Sequence, residues 1–109
     1  LNIILNAVEA MSQNPPERSR TLIISIEKGA SIDDHSHYLL LSFEDSGKGI
    51  SEKDLDHIFN PFFTTKDEGT GLGLAICYGI INRHEGEIEV HSTPGKGTCF
   101  TIKLPQYIV

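Results

Sequence analysis

Gly69-Thr70-Gly71-Leu72-Gly73-Leu74 sets three glycines alternately with other residues and opens into an apolar-periodic run that continues to Arg83. Glycine has no Cβ, so a backbone built from it can approach a ligand closely and accepts positive φ. The first turn of the helix that follows offers unpaired N–H groups and the positive end of a dipole. Together these make a site for an anion, phosphate above all. Just upstream, residues 64–68 form a short polar segment, and the cation Lys66 within it would face a phosphate bound at the helix start. Alone, such a motif is as often a turn that merely begins a helix.

Other residues could contribute chemistry. Asp45-Ser46-Gly47-Lys48-Gly49-Ile50 follows an alternating apolar stretch, which places a carboxylate at a strand end with little bulk around it. It reads either as an Asp-x-Gly turn or as an acceptor for a ligand amine. It is not a phosphate-binding P-loop, because Gly49 and not Ser or Thr follows Lys48; Gly95-Lys96-Gly97 fails in the same way. Asn2, Asn6 and Glu9 stand at i, i+4 and i+7 and so share one helical face. Asn is a mediocre helix former, and the pair reads either as a solvated face or as amide oxygens aimed at a metal or water. His35 and His37, beside Asp33 and Asp34, fit a solvated turn better than a metal site. His84 falls in a last helical turn, where the helix C-terminus explains it.

The elements that must carry these residues follow from periodicity. Residues 1 to about 13 read as an amphipathic helix whose apolar stripe is Leu1, Leu5 and Val8, with Ile4 and Met11 as candidates. Pro15-Pro16 forbids helix in the connector to residue 20. Strands are expected over 21–27 and 38–44 as a hairpin across a loop at 29–37, and over 87–92 and 98–104 across a turn at 93–97. Ser51-Glu52-Lys53-Asp54 resembles a capping box for a short helix over about 52–59, which Pro61 ends. Phe59, Phe62 and Phe63 form an aromatic knot that packs beneath a loop. A second long helix covers 72 to about 85, with Leu72, Ala75, Ile76, Gly79 and Ile80 inward and Gly86 as its C′ stop. Pro105 closes the domain. The expected fold is α+β: a two-layer sandwich with a mixed, largely antiparallel sheet covered on one face by helices. A dinucleotide-binding reading of the glycines fails, because their spacing is Gly-x-Gly-x-Gly and loop, not strand, precedes them.

Composition bounds the function. A chain of 109 residues, 39% hydrophobic and 22% charged, suggests one domain over 1–109 with a core of its own. Nine basic against fifteen acidic residues give a net charge of -6, which argues against nucleic acid and anionic membrane surfaces. Cys77 and Cys99, both in apolar runs, read as buried free thiols in a reduced compartment. The start at Leu1, inside an already periodic segment, reads as a cut within a helix.

Taken in order, these signals resemble the ATP-binding catalytic domain of sensor histidine kinases, of the superfamily shared with gyrase, Hsp90 and MutL. Leu1-Asn2-Ile3-Ile4-Leu5-Asn6-Ala7 looks like its N box, Asp45-Ser46-Gly47-Lys48-Gly49 its G1 box, Phe59-Asn60-Pro61-Phe62-Phe63 its F box, and Gly69 to Leu74 its G2 box. Gly97-Thr98-Cys99-Phe100 is similar to the closing Gly-Thr-x-Phe. The resemblance covers essentially the whole chain and implies the Bergerat ATP-binding fold. It implies that Asn6 coordinates a Mg²⁺ held on the ATP phosphates, with Asn2 beside it. Asp45 would accept from the adenine amine, Gly47 and Gly49 would give the base room, and Thr98 would support that corner through water. The resemblance also implies that Ile50 and Phe59 belong to the ATP-binding set. Lys66 and the amides around Gly71, Leu72, Gly73 and Leu74 would hold phosphates, and Thr65 and Gly69 would belong to the same ATP-binding set. Asn6 and Lys66 are the implied catalytic residues, and residues 64–68 the lid, short as in nitrogen-regulation-type kinases.

The implied activity is transfer of the ATP γ-phosphoryl group to a histidine on a separate dimeric phosphoacceptor domain, in two-component signalling. A response regulator would be an indirect partner, nucleic acid and membrane would not be contacted, and the setting would be cytoplasmic. None of the five histidines here suits as acceptor; His84-Glu85 is followed by Gly86, which would break the acceptor helix. The first competitor is an ATP hydrolase of the gyrase or chaperone branch. Those enzymes place a Glu one helical turn before the metal Asn, where this chain has Asn2, and an amide cannot serve as base. A non-enzymatic nucleotide-binding module is the second.

Overall fold

A computed structural model describes residues 2–12, 14–30, 37–61 and 73–106. The order is α1 (Asn2–Met11), β1 (Leu22–Ala30), β2 (His37–Asp45), α2 (Glu52–Leu55), α3 (Gly73–Arg83), β3 (Glu87–Thr93) and β4 (Gly97–Pro105). The strands form one sheet in the order β1-β2-β4-β3, with every described ladder antiparallel. Both expected hairpins are present, and β2 joins them by pairing with β4. The strands run slightly beyond their expected ends; β1 gains Lys28, Gly29 and Ala30 because the ladder with Leu39, Tyr38 and His37 continues.

Register sorts the sheet into two faces, because directly opposite residues project to the same side. Ile24, Phe43, Phe100 and Val90 form one cross-strand row, and Ile26, Leu41, Ile102 and Ile88 the next. Phe100 and Ile102 are buried there with Ile3 of α1, Ile58 and Ile81 of α3, and Leu41, Phe43, Ile88 and Val90 pack around them. α1 lies against β2 and beside α3, and α3 lies against β3. The opposite face carries Glu44, Cys99 and His91 in one row and Ser42, Thr101 and Glu89 in another. The result is the expected α+β sandwich. At the β1 edge, Ile24 and Ile26 share the core face yet are 50% and 67% exposed, since the described helices stop short of them.

Both long helices turn a different face inward from the one expected. In α1 the buried residues are Ile3, Ala7 and Met11, of which Met11 is a candidate for the expected stripe, while Leu5 and Val8 are exposed. Small residues explain the choice: Ala7 brings the helix close to the sheet, and Ala10 abuts the backbone at Gly47. In α3, Leu74, Cys77 and Ile81 face the core, Ile76 and Ile80 are exposed, and a Cβ on Gly79 would meet open space. Each helix carries two apolar stripes at helical spacing, and the shape of the surface beneath selects between them.

Helix ends are equally specific. Ser51 Oγ accepts from the Asp54 N–H at 3.3 Å, so the expected cap forms, but α2 lasts one turn and residues 56–59 continue as turns. α3 closes in a Schellman motif: Gly86 N–H donates to the Ile81 carbonyl and Glu85 N–H to that of Asn82. Glu85, with φ 60°, and not Gly86, takes the left-handed C′ position. Gly86 is needed instead for close packing, since a Cβ there would lie 2.7 Å from the Lys103 carbonyl oxygen. Cys77 and Cys99 are both free but half-buried, one toward the core and one on the outer face of the sheet.

Candidate functional site

Asp45 ends β2, and its cross-strand partner Thr98 is the second residue of β4, itself paired with Ser92 of β3. The row Asp45–Thr98–Ser92 continues the core face, but its side chains are polar. Asp45 is 7% exposed and Thr98 5%. The carboxylate is stabilised by the backbone N–H of Gly47, 2.8 Å from Oδ1, and by that of Thr98. Burial nonetheless holds the Asp45 carboxyl above its ordinary pKa, against those two N–H groups and the nearby Arg18 charge, which pull it down.

The loop after Asp45 is clamped from three sides. The Lys48 N–H donates to the Ala10 carbonyl at the end of α1, and Arg18 donates through Nη2 to the Gly47 carbonyl. Asn14, only 8% exposed, donates to the carbonyls of Ser19 and Ser46, at 3.2 and 2.9 Å. Ser46 Oγ accepts from the Thr21 N–H and donates to the Ser19 carbonyl. The glycines make this packing possible. A Cβ on Gly47 would stand 2.7 Å from Ala10 Cβ, and one on Gly49, at φ 77°, would overlap the Thr93 carbonyl. Gly97, at φ 143°, brings β4 against the Asp45 carbonyl, where no side chain fits. Both glycines expected to give a base room, Gly47 and Gly49, also stand in close contact with the protein's own Ala10 and Thr93. Arg18, Asn14 and Ser92 carried no motif in the sequence; only register and long-range contact reveal them.

The two asparagines reach a different neighbour. Asn2 donates through Nδ2 to the Gly73 carbonyl at 3.3 Å, tying the first turn of α1 to the first residue of α3. Asn6, half-buried, follows one turn later on the same face. Gly73 thus opens α3 beside the amides, and Leu74 packs toward the core around Ile3. Ile50 is half-buried and its N–H donates to Ser92 Oγ at 2.7 Å. The ring of Phe59 packs against Tyr78, centroids 5.4 Å apart, and edge-on to Phe100 at 6.5 Å. Thr65, Lys66, Gly69, Gly71 and Leu72, with the expected lid and with Phe62 and Phe63, lie outside the described residues.

Among the described residues, no three His, Cys, Asp or Glu side chains gather to hold a metal. The donor set on α1 is instead amide oxygen, which suits a hard cation that brings most of its ligands with it. No described helix is long and apolar enough to cross a membrane.

A helix-covered antiparallel sheet, with a buried acid at one strand end and paired amides beside a glycine-led helix, defines a nucleotide-binding domain of the kind the sequence motifs imply. The profile of the histidine kinase-, DNA gyrase B- and HSP90-like ATPase family matches residues 1–108, and the chain belongs to that family. Several of the relatives it matches are named as sensor histidine kinases. It is 45% identical over 108 residues to sensor histidine kinase ZraS of Escherichia coli K12, covering 96% of this chain and 20% of that protein. It is 44% identical over 106 residues to sporulation kinase A of Bacillus subtilis, covering 97% of this chain and 16% of that protein. The chain thus spans about a fifth or less of the length of these two relatives. Among solved structures, the catalytic domain of histidine kinase ThkA, nucleotide-free, superposes with a TM-score of 0.74 at 35% identity, over 95% of this chain and 61% of that one. Full-length ShkA in complex with AMPPNP gives 0.71 at 28% identity, over 96% of this chain and 20% of that one.

Proposed function

We propose that this domain binds Mg·ATP and donates the γ-phosphoryl group to a histidine on a separate dimeric phosphoacceptor domain, as the catalytic half of a cytoplasmic two-component kinase. The bond from Asn2 to the Gly73 carbonyl carries the proposal. It couples the amide-bearing helix to the helix whose glycine-rich start would cradle phosphates. It also fixes Asn2 in the place where a hydrolase of this superfamily needs a base: the amide has no proton-accepting nitrogen, and its Nδ2 is already engaged.

Each residue then has a role. Asp45 accepts from the adenine amine, with Thr98 beside it and Gly47, Gly49 and Ile50 shaping the loop around the base. Asn6 offers its amide oxygen to the metal, while Lys66, Thr65 and the backbone from Gly69 to Leu74 neutralise phosphate charge. Bound magnesium supplies further charge neutralisation for phosphoryl transfer. A neutral histidine brings its own lone pair, so the transfer requires positioning and electrostatics but no base from this domain. Water as nucleophile would require one.

The test is phosphate release from the unmodified chain under saturating Mg·ATP, beside phosphotransfer after a histidine phosphoacceptor domain is added. Negligible release with transfer to histidine is expected. Steady multiple turnover of ATP to phosphate, abolished by Asn6→Ala, would overturn the proposal in favour of a hydrolase.

A further inference from the structure

Ser92 stands on β3 just before the turn to β4, and its hydroxyl oxygen has three partners. The Ile50 N–H donates to it at 2.7 Å, it donates to the Gly97 carbonyl at 2.9 Å, and Thr98 Oγ1 lies 2.8 Å away. A hydroxyl has one proton and two lone pairs. An N–H can only donate and a carbonyl only accept, so the Ser92 proton belongs to Gly97. The third contact is a hydrogen bond only if Thr98 gives its own proton to Ser92. Thr98 Oγ1 then presents nothing but lone pairs to the rest of its surroundings. Asp45, directly opposite Thr98 and on the same face, is acceptor-only when ionised. The buried end of this row therefore offers acceptors alone.

We propose that Ser92 is a positioning residue for base selection: by holding the Thr98 proton away from Asp45, it makes the corner select a purine bearing a 6-amino group over one bearing a 6-oxo group. The inference rests on Asp45 as the acceptor for the base. A 6-amino group brings N–H donors to an acceptor-only corner. At position 6 a 6-oxo group brings a lone pair against the carboxylate and finds no donor that can turn toward it, and the N1–H that accompanies it lies at the neighbouring ring atom. Without the Ser92 hydroxyl, Thr98 can rotate and donate, either to the 6-oxo oxygen or to Asp45, and the discrimination falls.

The experiment titrates the 109-residue chain with ATP and with inosine triphosphate, which carries a 6-oxo group in place of the 6-amino group and an N1–H in place of the N1 lone pair, and records a melting curve for each variant. The unmodified chain should prefer ATP. Ser92→Ala should lower the ATP-to-inosine preference on the order of three- to tenfold, the worth of one net hydrogen bond. Ser92→Thr, which keeps the hydroxyl, should restore it. In a Thr98→Val background, Ser92→Ala should leave the ratio unchanged. An equal loss of affinity for both nucleotides in Ser92→Ala, or equal affinities in the unmodified chain, would overturn this role and leave the nucleotide site standing. Failure of the folded unmodified chain to bind either nucleotide would instead remove the nucleotide site itself, and this role with it.

Discussion

The Asn2 side chain donates to the Gly73 carbonyl at 3.3 Å, across 71 positions of sequence, so the first turns of the two long helices are joined at the place proposed above for phosphate. Asn2→Ala should remove one half-buried hydrogen bond and cost about 0.5–1.5 kcal/mol of stability. It should also weaken ATP binding, because the start of α3 loses its tether. Denaturant unfolding with and without Mg·ATP checks both effects. A variant as stable as the parent with an unchanged nucleotide affinity would show that the tether has no part in the site.

Asn6→Ala should make ATP binding insensitive to Mg²⁺. Asn6 is the one amide oxygen assigned to the metal, and the described residues gather no cluster that could replace it. Isothermal titration of both proteins in magnesium and in chelator gives the comparison. A full magnesium dependence in Asn6→Ala would move the metal ligand elsewhere.

Asp45→Asn should weaken ATP binding by about 1.5–3 kcal/mol, the loss of a charged acceptor, while making the ligand-free domain more stable at neutral pH. The sign of the second effect follows from burial. The folded-state pKa of Asp45 is raised, so the folded domain holds this proton more tightly than the unfolded chain. Ionised Asp45 therefore opposes folding; the cost is complete above the folded-state pKa and fades as the pH falls through it toward the ordinary carboxylate value. Melting curves from neutral pH to about pH 4 should show the advantage of Asp45→Asn shrinking with acid. ATP affinity of the unmodified chain should move the other way, rising with pH until Asp45 is fully ionised. An Asn variant that is less stable at pH 7 would mean that the bonds from Gly47 and Thr98 outweigh desolvation.

Gly97→Ala should destabilise the fold by about 1–3 kcal/mol, typical of an overpacked site. At φ 143° a side chain is strained, and its Cβ would overlap the Asp45 carbonyl oxygen. Gly95→Ala, at φ 81° in the same turn, meets nothing within 4 Å and should cost less. Chemical denaturation of the pair separates backbone strain, common to both, from the collision unique to Gly97.

Local order made much of this domain legible without coordinates. Each strand stretch alternates, Ser51 announces a cap, and the glycine and asparagine motifs stand in one sequence order, so the elements, the two hairpins and the family could be read from neighbouring residues. Which side of each helix turns inward could not. Leu5 and Val8 are as apolar as Ile3 and Met11, and Ile76 and Ile80 as apolar as Leu74 and Ile81; the period is the same for both stripes of each helix. The outcome depends on the surface beneath, where Ala7 and Ala10 let α1 settle on β2 and the backbone at Gly47. The polar row at the end of the sheet is likewise invisible along the chain. Asp45, Ser92 and Thr98 meet only because two antiparallel ladders hold a particular register, and a slip of one residue in either would turn one of them to the solvent face. Periodicity is a property of neighbours in sequence; register and the choice of buried face are decided by residues that meet only when the sheet closes.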